Sequence, residues 1–268
     1  MADDQTHEPN PFLGPKPGET LPEKKVSAAA MTRLQLAADG IAATKRAIAH
    51  QGNQVSSLFS TNMNAKYRLQ VMRNSAAWEY TPEARALAGQ HKEADVAAKA
   101  DLAHGGNCGE HSWVAFHYLR EHAVGQPINR VAPTYIDHAF VIIGDLKTDP
   151  DNAMAVSDPW TNKPTAVLWE DHFSKGPRDQ VASQSTMVAD GNSYKEAIMA
   201  GLKLSAYGEQ MIKKADTEAE TKDQTDHWKE NHFWEQDDTA AQGSKFNYTV
   251  DQPAAQPGQQ QQGQQPRP

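Results

Sequence analysis

The spacing of apolar residues changes at Gly125-Gln126-Pro127, and that change limits the architecture more than any other feature of the chain. On its N-terminal side apolar residues recur at helical spacing. Met31, Leu34, Leu36, Ile41 and Ile48 define a first helix, with Ser27 as its cap and Gly52 beyond its end. Met63, Tyr67, Val71 and Trp78 define a second over 62–80. Thr81-Pro82-Glu83 supplies an N-cap, a first-turn proline and an early acid for a third helix running towards Ala100. Gly105-Gly106 interrupts it, and a fourth starts at Asn107 or Cys108 and reaches His122. On the C-terminal side, short apolar runs at 128–131, 138–143, 153–156 and 165–169 are parted by turn signals such as Asp149-Pro150-Asp151 and Asn162-Lys163-Pro164. Helices followed by an antiparallel set of strands predict an α+β fold. A loop through Gly176-Pro177 and Gly191-Asn192 then leads to C-terminal helices, the first from Ser193 to about Ala215.

Composition divides the chain into five stretches. Residues 1–26 are rich in proline and poor in large apolar side chains, which predicts a disordered leader. Residues 27–100 form a helical N-terminal region, and 101–215 the core that carries the chemistry. Residues 216–250 read as an acidic, partly helical extension: 216–238 hold nine acids against two lysines, with Trp228, Phe233 and Trp234 among them. Residues 251–268 form a Gln/Pro-rich tail, expected to be disordered.

The net charge of −8 disfavours nucleic acid or an anionic membrane as the main partner, since both select basic surfaces. No stretch approaches the roughly 18 apolar residues that a membrane helix requires. Asp3, Asp4 and Glu8 stand where an export signal would carry positive charge, so the expectation is synthesis in the cytoplasm and any export by a signal-peptide-independent route.

A single cysteine excludes an intramolecular disulfide framework and a thiolate-rich zinc site. It lies in Gly105-Gly106-Asn107-Cys108-Gly109-Glu110-His111, a glycine-rich turn that delivers one thiol to the start of a helix. A free thiol has a pKa near ~8.5, and a helix N-terminus favours its thiolate. The amides of Cys108 and Gly109, or the Asn107 side chain, are candidate donors to an oxyanion. His138 opens the second strand and Asp158 closes the third. In an antiparallel pair those ends are neighbours, so the carboxylate would fix the imidazole while the imidazole serves as base to the thiol. Trp160 is placed to wall the site. His111 is a rival base on the same helix as the thiol. No H-E-x-x-H is present, and the pairs 104/111 and 117/122 are not standard ligand spacings; neither a metal nor a cofactor is expected.

These three segments, Asn107-Cys108-Gly109-Glu110-His111, Asp137-His138-Ala139-Phe140-Val141-Ile142-Ile143-Gly144 and Asp158-Pro159-Trp160, resemble the motifs of papain-like cysteine peptidase domains in bacterial effectors and toxins of the YopT and AvrPphB types. The resemblance covers roughly residues 100–170. It implies a papain-like core, with the nucleophile helix packed on a small antiparallel sheet. It also implies Cys108 as nucleophile, His138 as base and Asp158 as orienting acid, and a secreted virulence protein that hydrolyses an amide bond in a protein or peptide through a thioester. A chaperone or an immunity protein are candidate partners by the same analogy. Two alternatives remain open at this point. A glutamine deamidase or transglutaminase-like toxin would use the same triad, and a non-catalytic adaptor would bind through Trp228, Phe233 and Trp234.

Overall fold

The structure, a computed structural model, describes residues 10–221 and 245–251, without the side chains of 218–221. It is α+β, as the change of period predicts. The first half of the chain contains β1 (Glu23–Val26), α1 (Ala28–Ala47), α2 (Val55–Ser60), α3 (Asn64–Arg73), β2 (Trp78–Tyr80), α4 (Pro82–Gln90) and α5 (Lys92–Ala103). The second contains α6 (Cys108–His122), β3 (Pro127–Pro133), β4 (Phe140–Ile143), β5 (Ala155–Ser157), β6 (Val167–Leu168), β7 (Val181–Val188), α7 (Tyr194–Met199), β8 (Leu202–Leu204), α8 (Ala206–Thr221) and β9 (Asn247–Val250).

The frame is a five-stranded antiparallel sheet in the order β6-β5-β4-β3-β7. All four residues of β4 are buried, because both faces of the sheet are covered. Val141 and Ile143 face α1 and α6, packing with Leu34, Ile41, Phe116 and Leu119. Phe140 and Ile142 face the other way, onto Met154, Val156, Val167 and Trp169. Each such side chain contributes on the order of 1.5–3 kcal/mol when fully buried. A third cluster joins α3, α5 and α7 through Val71, Trp78, Ala97 and Ile198.

Several expectations are corrected here. Helix α1 is capped by Ser27, whose side chain accepts from the Ala30 amide, and it packs against α6 and β5 inside the main core. The helix expected over 62–80 is shorter. Asn62 and Met63 have positive φ, α3 ends at Arg73, and Trp78–Tyr80 instead pairs with β8. The third helix breaks into α4 and α5 at His91, whose ring stacks on Tyr194 at 3.7 Å. The helix expected from Ser193 to Ala215 is interrupted by β8, since Gly201 packs so closely on Thr81 that a Cβ would lie 2.4 Å from the Thr81 hydroxyl. Residues beyond Phe173 include the edge strand β7, hidden in the sequence by its small polar side chains.

The leader is ordered from residue 10 onwards. Phe12 and Leu13 pack on the main core, the Phe12 carbonyl accepts from the Ala166 amide at 2.8 Å, and β1 pairs in parallel with β9. Its few apolar side chains suffice because they dock on a core that other elements have already built. Trp228, Phe233, Trp234 and the Gln/Pro tail from residue 252 lie outside the described residues. Among the described residues no helix is long and apolar enough to cross a membrane.

Candidate active site

Cys108 begins α6, directly after the cap residue Asn107. Glu110 reaches back to accept from the Asn107 amide at 2.8 Å, and Arg73 holds the same carboxylate through its Nε and Nη2 at 3.0 and 2.9 Å. The amides of Cys108 and Gly109 stand in the first turn, where no intrahelical carbonyl is available to them. The preceding glycines serve close packing rather than open access. A Cβ on Gly105 would lie 2.6 Å from the Arg68 carbonyl carbon, and one on Gly106 2.6 Å from the Glu110 Cβ. Cys108 itself is half-buried.

The antiparallel register of β4 and β5 pairs Val141 with Ser157, so the residues just before β4 meet those just after β5. His138 and Asp158 are thereby brought together, with His138 Nε2 to Asp158 Oδ2 at 2.6 Å and both residues buried. The ring's other nitrogen, Nδ1, is buried without a hydrogen-bond partner, and Cys108 is among the groups that act on the imidazole. Burial alone would lower the imidazole pKa; the charge and hydrogen bond of Asp158, then Cys108, outweigh it and raise the value to about 10. Asp158 moves oppositely. Burial would raise its pKa, but His138 and then His172 hold it below the usual carboxylate range. The ring of His138 is walled by Trp160 at 5.0 Å, Phe140 at 5.5 Å and Phe173 at 5.7 Å between centroids.

Residues 51–54 tie the two halves of the site together. The Gly52 amide donates to the Gly106 carbonyl at 2.8 Å, beside the cysteine turn. Gln54 Nε2 donates to the Trp160 carbonyl at 2.9 Å, Gln51 Nε2 to the Thr161 carbonyl at 3.2 Å, and Trp160 Nε1 to Asn53 Oδ1 at 3.0 Å. The loop that carries Asp158 is therefore anchored to the turn that carries Cys108.

The structure brings Cys108, His138, Asp158 and Trp160 into one site, with Asn107 and Gly109 flanking the thiol. His111 is fully buried with Nδ1 on the Asn107 carbonyl at 2.8 Å, and burial followed by the charge of Lys45 lowers its pKa to about 3. It is a neutral packing group and no rival base. Two participants were not read from the sequence. Arg130 lies buried beside the first turn of α6, donating through Nε to Ser112 Oγ at 2.9 Å and through Nη2 to the Gly109 carbonyl at 3.3 Å. Its guanidinium sits 4.1 Å above the Trp113 ring. Burial lowers its pKa to about 10, against the opposing influence of Cys108 and Glu110. The charge in the middle of the apolar run 128–131 was its one signal. His172 is the second, with Nε2 3.1 Å from Asp158 Oδ2. Lys45 completes the electrostatic surroundings; burial lowers its pKa to about 8 while Asp158 opposes the shift. Among the described residues no cluster of three or more histidine, cysteine or acidic side chains has the arrangement of a metal site.

No protein-family model matches this chain, and no curated protein or solved structure matches it.

Proposed function

We propose that the chain is a papain-like thiol hydrolase that breaks an amide bond in a protein or peptide through a thioester, of the kind found in secreted bacterial effectors and toxins. One observation carries the catalytic part: a buried carboxylate holds His138 at 2.6 Å through Nε2, leaving Nδ1 without a partner on a ring whose pKa the lone thiol at the start of α6 helps to raise. The effector and toxin part rests on the likeness of the three sequence motifs.

In this reading the Cys108 proton passes to His138 Nδ1, and Asp158 stabilises the imidazolium that forms. The thiolate adds to the substrate carbonyl carbon, and the resulting oxyanion takes hydrogen bonds from free amides of the first turn. Collapse breaks the C–N bond as His138 returns its proton to the leaving nitrogen. Water, deprotonated by His138, then adds to the thioester; the acid is released and the thiol restored. No cofactor is required by this sequence of steps.

The test is mass spectrometry of proteins exposed to the chain and to its Cys108→Ala variant. New termini that depend on Cys108 support a peptidase. A gain of about 1 Da on glutamine without cleavage moves the assignment to deamidase with the same triad, and changes that persist in Cys108→Ala overturn the catalytic reading altogether.

A further inference from the structure

The Asp158 carboxylate has a second histidine. We infer that His172, backed by Ser174, is a positioning residue that locks Asp158 onto His138, extending the triad to a chain Cys108–His138–Asp158–His172–Ser174 that is buried from His138 onwards. This rests on the proposed thiol chemistry and adds a residue pair to it.

Asp158 is fully buried, and its Oδ1 has no hydrogen-bond partner among the described residues. All the support the carboxylate receives from side chains is therefore on Oδ2, from His138 Nε2 at 2.6 Å and His172 Nε2 at 3.1 Å. Hydrogen bonds fix the tautomer of His172. Its Nδ1 faces the Ser174 hydroxyl at 2.7 Å and the Ser174 amide at 3.4 Å, and the amide can only donate. Nδ1 is thus the acceptor, and Nε2 carries the proton given to Asp158. Ser174 is fixed in turn, since Tyr135 Oη donates to its carbonyl at 2.6 Å. The ring of His172 is clamped between Phe140 and Phe173, each with centroids 4.6 Å away. A neutral histidine held this way can give Asp158 one hydrogen bond and cannot compete with His138 for the catalytic proton. Without it, a buried carboxylate would keep one donor only and lose its fixed rotamer, which is costly where the dielectric is low. The charged groups that act on this pair are His138, Lys45 near Asp158 and Lys245 near His172.

The test is alkylation of Cys108 by iodoacetamide in the full chain at pH 6.5 and pH 10, with free cysteine as reference. The parent should react faster than free cysteine at pH 6.5, through the thiolate–imidazolium pair that Asp158 supports. His172→Phe keeps the ring shape and removes the donor; its rate at pH 6.5 should drop about tenfold or more, a part of the 10²–10⁴ that proton transfer contributes, and converge with the parent at pH 10. His172→Gln, which can place an amide N–H near the lost Nε2–H, should recover most of the loss. If His172→Phe does not fold, Ser174→Ala carries the test, with a smaller drop in the same direction. A folded His172→Phe or Ser174→Ala variant that reacts like the parent overturns the inference, as does a Gln variant no better than Phe. If the parent itself reacts no faster than free cysteine, the thiol-hydrolase reading falls first and takes this inference with it.

Discussion

Asp158 Oδ2 is the atom on which the site converges, with two imidazoles on one oxygen inside a fully buried carboxylate. Its charge orients His138 and offsets the cost of burying an imidazolium. Asparagine at this position keeps the shape but loses the charge and cannot accept from both rings in the same way. Asp158→Asn should therefore lower kcat by about 10⁴ on any substrate identified, with KM changed little. A kcat within tenfold of the parent would show that the carboxylate is structural. Arg130 makes the opposite trade. It is a buried cation with no carboxylate within ion-pairing distance among the described residues, held by Ser112, the Gly109 carbonyl and the Trp113 face. Keeping such a charge out of water is unfavourable, and replacing it with an apolar chain of similar length costs little stability. Arg130→Met should leave the free energy of unfolding within about 1 kcal/mol of the parent in urea titration, while slowing Cys108 alkylation several-fold. Loss of stability without loss of reactivity would assign Arg130 to the fold alone.

Elements, rather than single residues, decide how much of this was legible in sequence. The start of α6 was readable because a cap, a thiol and an acid stand at fixed offsets, and the His138–Asp158 meeting because strand ends follow from antiparallel pairing alone. What was hidden depends on partners far away in the chain. The breaks at His91 and Gly201 arise from contacts with Tyr194 and Thr81, and local propensity favours continuing the helix through the first of them. Edge strand β7 shows little alternation because only Val181 of its eight residues is buried, so neither face needs a continuous apolar row. His172 follows a strand of two residues, too short to carry a period. The close approach of α3 to Gly105 in the cysteine turn is equally invisible in the local sequence. That contact makes a prediction of its own. In Gly105→Ala the new methyl meets backbone atoms of Arg68 and Leu69 at 2.6 and 2.7 Å, which cannot rotate away. The variant should lose about 1–3 kcal/mol of stability by urea titration, and its Cys108 should alkylate more slowly, because the turn must move to make room. An unchanged midpoint would mean that α3 and the turn are less tightly coupled than the packing requires.

For the whole molecule, the buried histidines make stability depend on pH. His111, His117 and His172 are 0%, 2% and 3% exposed. Burial is the main cause that lowers all three pKa values, reinforced by Lys45 at His111 and by Arg120 and Lys195 at His117, and it brings His111 and His117 to about 3. In the unfolded chain each returns to about 6.5. Below that pH the unfolded state binds up to three protons that the folded state refuses, so stability falls as pH falls, by about 4 kcal/mol per unit when all three contribute. Asp158, whose folded pKa is lowered, adds to the loss only below its unfolded value of about 3.9. His138 works in the other direction. Its folded pKa is raised to about 10, so its contribution is complete below about 6.5 and is lost as pH rises through about 10. Lys45, whose folded pKa is lowered to about 8, partly offsets that loss above about pH 8. Together these trends place maximum stability near neutral pH and make the acid side the steeper one. Urea midpoints should fall clearly from pH 7 to pH 5.5 and more gently from pH 7 to pH 9. His117→Phe sharpens the test, because His117 already lies against the rings of Trp113 and Phe116 and neither of its nitrogens has a hydrogen-bond partner among the described residues. That variant should fold and reduce the acid slope by one proton, about 1.4 kcal/mol per pH unit. A parent midpoint that stays flat between pH 7 and pH 5.5 would mean that these histidines take up protons inside the folded chain, and that the core around α6 admits water.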